Sequence, residues 1–131
     1  MERKAVNPWP WSIGYGYNQA ELVEGAGKVL FCSGQTSVDD QGAPQHPGDM
    51  AAQIARAADN LEAVLQEAGM TFANVVRLNY YTTDVDAFMA NIGVIAARTA
   101  GAKVAPAGTL LGVARLAFPE LMIEIEATAV A

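Results

Sequence analysis

Two acidic residues near the C-terminus have the spacing of a strand that carries carboxylates on one face. Between Met122 and Ala127, Glu124 and Glu126 alternate with Ile123 and Ile125, as the two-residue period of a β-strand requires. A carboxylate on a stiff strand can position a water molecule, and in an apolar cleft it can act as a general acid or base. The pattern therefore predicts a site for proton transfer or hydrolysis.

A second segment, Pro106–Leu116, is expected to border the same cleft. Gly108 stands just after Pro106, where a chain entering a strand could present a charged side chain to a ligand. Because glycine has no side chain, this position presents no charge. The two segments together predict a small-molecule site that lacks one charged anchor.

The other reactive side chains form no familiar catalytic set. The only histidine, His46, lies in a Gln-His-Pro-Gly loop, so a Ser-His-Asp triad is not supported. The only cysteine, Cys32, neighbours Ser33 and is predicted to point the opposite way, as a buried thiol. No His, Cys and carboxylate cluster has metal-ligand spacing, and no glycine-rich phosphate loop is present. The sequence predicts neither a metal nor a cofactor.

The elements that must position the site begin with two helices. The first is predicted from an N-cap at Asp49 to a stop at Gly69, and the second from Asp84 to Gly101. Each has one stripe of residues at helical spacing: Ile54, Ala57, Leu61, Val64, Leu65 and Ala68 in the first, and Phe88, Ile92, Ile95 and Thr99 in the second.

Strands are predicted on both sides of these helices. The runs Gln19–Val23 and Lys28–Gly34 flank a Gly-Ala-Gly turn and predict a hairpin. Val75–Thr82 is β-branched and aromatic, and it should be covered on both faces. Alternation places Val76, Leu78 and Tyr80 on one face and Val75 and Tyr81 on the other. The predicted order is β-β-α-β-α-β-β in one domain, 1–131.

An N-terminal arm, residues 1–12, is predicted to be extended because of its prolines. It contains both tryptophans, Trp9 and Trp11. These side chains either pin the arm across an apolar surface or help Tyr15 and Tyr17 to form the wall of a pocket. The residues alone leave both interpretations open.

The composition favours an oligomer and disfavours nucleic acid as a partner. The 131 residues are 52% hydrophobic and only 17% charged, and two helices can cover only one face of the sheet, so a neighbouring subunit is expected on the other. The net charge of −6 and the absence of a basic cluster disfavour nucleic acid as a partner. No secretory signal or membrane span is recognisable, which predicts a cytoplasmic location away from the membrane.

Several motifs, in this order and spacing, resemble the RidA/YjgF family of reactive-intermediate deaminases from about Ile13 onward. They are Gly16-Tyr17-Asn18-Gln19-Ala20, Phe31-Cys32-Ser33-Gly34-Gln35, Asn60-Leu61-Glu62-Ala63-Val64-Leu65, Ala68-Gly69, Val75-Val76-Arg77, Tyr81-Thr82-Thr83-Asp84, Val113-Ala114-Arg115-Leu116 and Ile123-Glu124-Ile125-Glu126-Ala127. The resemblance implies an α+β, chorismate-mutase-like fold, a mixed sheet with two helices on one face. It also implies a homotrimer with clefts at the subunit interfaces.

The resemblance also assigns residues to the cleft. In the deaminating members an arginine, in a Pro-Ala-Arg-Ser/Thr context, grips the carboxylate of an imine or enamine derived from an amino acid. Here Gly108 replaces that arginine, Thr109 follows it, and Leu110 and Ile92 stand where smaller or more polar residues are usual. The positions that match are Tyr17, Ser33 and Glu124, of which Glu124 corresponds to the glutamate associated with water.

Three functions follow from this pattern. The first is an enzyme acting on a small imine, enamine or other hydrolysable metabolite, with Glu124 directing water. It is not expected to be an efficient 2-imino acid deaminase, because losing the bidentate arginine contact costs about 2–4 kcal/mol. The second is a small-molecule-binding or pathway-accessory trimer without turnover. The third, endoribonuclease activity, is disfavoured by the acidic composition.

Overall fold

The alternating C-terminal segment is a central strand of the sheet. The structure is a computed structural model that describes all 131 residues. Its elements are β1 (Glu2–Val6), β2 (Ala20–Glu24), β3 (Val29–Phe31), β4 (Gln35–Thr36), α1 (Met50–Glu67), β5 (Val75–Thr82), α2 (Val85–Ala90), α3 (Gly93–Gly101), β6 (Leu110–Gly112) and β7 (Ile123–Val130). The main sheet has the order β3-β7-β5-β6, with β4 also paired to β7. The α+β class is confirmed.

The sheet is mixed, as expected. β5 is antiparallel to β7 and parallel to β6, so the parallel connection must pass through the helical segment between them. β3 and β4 pair with β7 on its other edge. The last two strands of the chain are therefore not partners of each other, because β5 lies between them.

The two faces of the main sheet differ in what covers them. The helix face of β7 carries Ile123, Ile125 and Ala127, which are buried in one apolar cluster with α1 residues such as Leu61. The opposite face, called the open face below, carries half-exposed Glu124, Glu126 and Thr128. On the adjoining β3, alternation puts Phe31 on the open face, and 80% of its surface is exposed. Nothing within the chain covers this face.

The predicted helix ends are confirmed by their caps. The Asp49 and Asp84 carboxylates each accept a hydrogen bond of 3.0 Å, from the amides of Ala52 and Ala87 respectively. Gly69 has a φ of +72°, the left-handed conformation that ends a helix. The second predicted helix is wrong in its continuity, because it is broken into α2 and α3 around Asn91. None of the α-helices is long and apolar enough to span a membrane.

The predicted hairpin is wrong. β2 pairs with β1 in a separate two-stranded sheet, and β3 pairs with β7 instead. Residues 2–6 of the predicted arm are thus a strand, and Pro10–Tyr15 form a 3-10 helix that ends at Gly16, whose φ is +82°. Arg3 fastens β1 to the main body by donating hydrogen bonds to the Ala73 and Val75 carbonyls.

One face assignment on β5 is also wrong. The pairing of β5 with β7 is irregular between Val75 and Arg77, and such a bulge shifts the alternation by one residue. Val75 is consequently fully buried in the same cluster as Leu78 rather than lying on the face of Tyr81. From Arg77 onward the predicted alternation holds.

Candidate functional site

A cavity of about 420 Å³ lies on the helix face, at the edge of the sheet formed by β5 and β6. Its walls come from three parts of the chain: the 3-10 helix and the turn after it, the α2–α3 region, and the segment Pro106–Leu110. The volume is in the range of small-molecule sites, which are mostly apolar with a few placed polar groups. The cavity is therefore the main candidate for a ligand site within one chain.

Aromatic side chains form the outer wall of the cavity. The Trp11 ring meets Tyr15 at 6.4 Å and Tyr17 at 6.0 Å between centroids, both edge-to-face, an arrangement that aromatic rings favour. Trp9 lies outside the lining and is 60% exposed. Of the two interpretations of the tryptophans, Trp11 therefore fits the pocket wall. The turn at Gly16 allows Trp11 and Tyr17 to face the same space.

The floor of the cavity consists of residues that the sequence assigned only to the core. Tyr80 of β5 packs on Phe88 of α2 with ring centroids 5.1 Å apart, and Leu78, Ile95 and Thr99 also border the space. Phe88, Ile95 and Thr99 belong to the same predicted stripe as Ile92. That shared stripe was the available sign that they accompany Ile92 in the site.

The rim of the cavity is an irregular stretch of the β5–β6 ladder. The amides of Leu78 and Tyr80 donate to the carbonyls of Ala107 and Thr109, each at 2.8 Å. The Thr109 amide, which in a regular parallel ladder would return to the Leu78 carbonyl, donates instead to Asn79 Oδ1 at 3.1 Å. This deviation brings Gly108 tight against Leu78.

Gly108 has no room for a side chain in this arrangement. A Cβ atom built at this position would lie far closer than 3.0 Å to the Leu78 carbonyl oxygen, a distance that real Cβ atoms essentially never show. The obstacle is main chain of a central strand and cannot move aside like a flexible side chain. A charged side chain is therefore absent at position 108 for two reasons. The residue is glycine, and the Leu78 main chain occupies the space that a side chain would need.

The open face holds a separate set of polar residues. The Glu126 carboxylate accepts hydrogen bonds from Asn79 Nδ2 at 3.0 Å and from the Tyr81 hydroxyl at 3.2 Å. Desolvation, and then the hydrogen bond to Glu126, raise the pKa of Tyr81 above its ordinary value. The Glu124 side chain lies over Gly34, next to exposed Ser33. Glu126 is thus engaged structurally.

The predicted site residues divide between these two places. Five of them line the cavity: Tyr17, Ile92, Gly108, Thr109 and Leu110. Glu124 and Ser33 do not line it, because β7 turns Glu124 toward the open face. Within one chain the structure does not bring Glu124 together with the cavity.

The electrostatics of the two places differ as well. No charged side chain lines the cavity, and burial raises the pKa of the Tyr80 hydroxyl well above its ordinary value. Cys32 is buried, as predicted, and desolvation raises the pKa of its thiol. The cationic side chain that contacts the rim is Arg77. From the open face, it donates a hydrogen bond of 3.3 Å to Thr109 Oγ1.

Comparison with known proteins identifies relatives over nearly the whole chain. The model of the family described as Endoribonuclease L-PSP matches residues 13–131. Protein DfrA of Myxococcus xanthus is 41% identical over 90 residues, covering 67% of each chain. The 2-iminobutanoate/2-iminopropanoate deaminase of Escherichia coli is 32% identical over 105 residues, 79% of this chain and 80% of the relative. The solved structure of YyfB from Yersinia pestis, described as a protein of unknown function in the conserved Rid family, is 35% identical, with a TM-score of 0.86 over 100% of both chains.

Proposed function

Because the chain belongs to the endoribonuclease L-PSP family, which includes the RidA/YjgF proteins, we propose that it binds a small, neutral, ring-sized metabolite in the cavity. The observation that carries this proposal is the lining, which is aromatic and aliphatic and includes no charged residue. An apolar pocket gains affinity by removing ligand and wall surface from water. An ion entering it would lose hydration without a counter-charge.

The same observation argues against efficient 2-imino acid deamination. A 2-imino acid carries a carboxylate, which needs a cation or several aligned donors at the binding site. Gly108 supplies neither, and Arg77 approaches the rim only through the Thr109 hydroxyl on the open side. The deaminase named among the relatives is 32% identical, a level at which the substrate can differ while the fold is kept.

A matched pair of ligands tests this binding function. We expect acetophenone, which is neutral, to bind the purified full-length protein measurably better than benzoate, an anion of similar size, in isothermal titration calorimetry. Trp11→Ala should weaken acetophenone binding about tenfold, because it removes an aromatic wall. Trp9→Ala is the control and should change little. Stronger binding of benzoate, lost again in Arg77→Ala, would show that the rim cation replaces the arginine and would refute the proposal.

A second candidate function is hydrolysis of an imine, enamine or related metabolite in a cleft between subunits. What favours it is the position of Glu124 beside Ser33 on an uncovered face with exposed Phe31. A homotrimer that packs these faces together would enclose the carboxylate, which could then direct a water molecule. Turnover that disappears in Glu124→Gln while acetophenone binding is kept would support hydrolysis. Binding without any turnover would leave a non-catalytic, pathway-accessory trimer.

Ribonuclease activity has the weakest support of the family's activities. The chain has a net charge of −6 with only 8 lysines and arginines, whereas phosphate backbones are bound by clustered cations. Activity that persists through stringent purification and is lost with a cavity variant such as Trp11→Ala would be needed to revive it.

A further inference from the structure

Two neighbouring tyrosines on β5 have opposite hydrogen-bonding states. The Tyr81 hydroxyl is bonded to Glu126 on the open face. The Tyr80 hydroxyl, on the cavity side, makes no hydrogen bond within the chain. Buried tyrosine hydroxyls usually have a partner, and the exceptions call for an explanation.

The Tyr80 hydroxyl is not sealed in the core. The fully buried side-chain polar atoms without a partner are Ser12 Oγ and Gln19 Nε2, and the Tyr80 oxygen is not among them. Since Tyr80 lines the cavity and its ring packs on Phe88, the surface left to its hydroxyl is that of the cavity.

The other polar side chains of the lining are either hydrogen-bonded or stand at the outer wall. The Thr99 hydroxyl donates to the Ala96 carbonyl at 3.1 Å, and Thr109 Oγ1 accepts from Arg77 at 3.3 Å. Tyr15 and Tyr17, whose hydroxyls make no hydrogen bond within the chain, stand at the outer wall beside Trp11, whereas Tyr80 forms the floor. Burial also raises the pKa of Tyr80, so its hydroxyl keeps its proton. The Tyr80 hydroxyl is thus a hydrogen-bond donor on the cavity floor that has no partner within the chain.

We infer that the Tyr80 hydroxyl donates a hydrogen bond to the ligand, and that the ligand is a neutral compound with a carbonyl or imine acceptor. This inference rests on the proposed binding function and specifies its ligand class. The apolar walls would hold the body of the compound, and Tyr80 would fix its orientation. A hydrocarbon of the same shape would leave the hydroxyl unpaired.

Acetophenone and α-methylstyrene test the inference, because they have the same shape and differ in a C=O against a C=CH2 group. In calorimetric titrations, Tyr80→Phe should reduce the affinity ratio of acetophenone to α-methylstyrene roughly fivefold. The ring stays in place, so affinity for α-methylstyrene and the melting temperature should hold or rise slightly. Tyr81→Phe is the matched control and should leave the ratio unchanged.

The outcomes separate this inference from the function on which it rests. If both compounds bind the native protein and the ratio is the same in Tyr80→Phe, the role of Tyr80 is refuted while the binding function stands. If the ratio falls equally in Tyr81→Phe, the effect is not specific to the cavity hydroxyl and the inference is also refuted. If neither compound binds the native protein, the cavity is not a binding site for this ligand class and both proposals fail.

Discussion

The helix face and the open face of the main sheet differ in the side chains they carry: the first borders an apolar cavity, and the second carries a polar network. On the helix face, β5 contributes Leu78 and Tyr80 to a cavity that no charged side chain lines. On the open face, Asn79 and Tyr81 of the same strand bond a carboxylate, that of Glu126. The two-residue period of one strand separates an apolar cavity from a polar network. Any chemistry that needs both a carboxylate and the cavity must therefore join two faces.

The rim at Gly108 is where the two faces meet. The Asn79 side chain lies on the open face and accepts a hydrogen bond from the Thr109 amide. It therefore helps to set the shape of the cavity rim on the other face. Gly108 lies against Leu78 as a result. Substitutions at this point should have the largest effect on the molecule, since they act on main chain shared by both faces.

Gly108→Ala is expected to destabilise the protein by about 3 kcal/mol, because its Cβ would collide with the Leu78 carbonyl and force β6 away from β5. Gly108→Arg should be at least as damaging and should not create 2-iminopropanoate deaminase activity. Urea unfolding of purified variants measures the free energy, and a coupled turnover assay measures the activity.

Gly93→Ala is the matched control, since a Cβ there meets nothing within 4 Å and its φ is not in the left-handed region. It should be neutral or slightly stabilising. A native-like Gly108→Arg protein that turns over 2-iminopropanoate would show that the rim can reopen. The absence of a charged group at the cavity rim would then result from the residue type alone and not from the backbone.

Local signals in the sequence predicted much of this fold, and long-range pairing explains what they missed. Asp49, Asp84 and Gly69 act within one helical turn, so their roles could be read directly. β3 pairs with β7 at the other end of the chain, which leaves β2 to pair with β1, and no local pattern encodes such a long-range pairing. The bulge after Val75 likewise depends on the register with β7.

The candidate site was predictable to a similar extent. The family resemblance placed Tyr17, Ile92 and Gly108 together, and they do line one cavity. It also joined Glu124 to them, but a single chain separates these residues by the thickness of the sheet. Tyr80 carried no signal in the sequence, because its importance arises from the absence of a partner in three dimensions.

The open face gives the next largest expected effect, on assembly. Phe31 and Val29, two residues apart on the same face of β3, expose 80% and 51% of their surfaces, and adjoining exposed apolar side chains are typical of subunit contacts. If this face is the trimer interface, Phe31→Glu should convert trimers to monomers in sedimentation experiments, because a carboxylate would be buried without a partner. Phe118→Glu, in a loop outside the strands and 45% exposed, is the control. Equal sedimentation of both variants with the native protein would place the interface elsewhere.

The smallest expected effect distinguishes Tyr80 from Tyr81 by alkaline stability. The pKa of each is raised above the ordinary 10.0, so above that pH the unfolded chain loses protons that the folded chain keeps. Their stabilising contribution is complete below pH 10 and is lost as the pH rises through the folded-state values. Cys32, whose pKa is raised from 9.0, acts in the same direction and starts lower.

The melting temperature should therefore fall as the pH is raised from 8 to 11. Each variant should remove the part of this fall that its own side chain causes. Cys32→Ala removes the earliest part. Tyr80→Phe should reduce the loss of stability above pH 10 the most, because desolvation raises the pKa of Tyr80 furthest. The reduction in the loss of unfolding free energy should reach up to about 1.4 kcal/mol per pH unit. Tyr81→Phe should reduce the loss less, because its group is closer to solvent. A larger effect for Tyr81 would mean that the open face is the drier of the two, as a tightly packed subunit interface would make it.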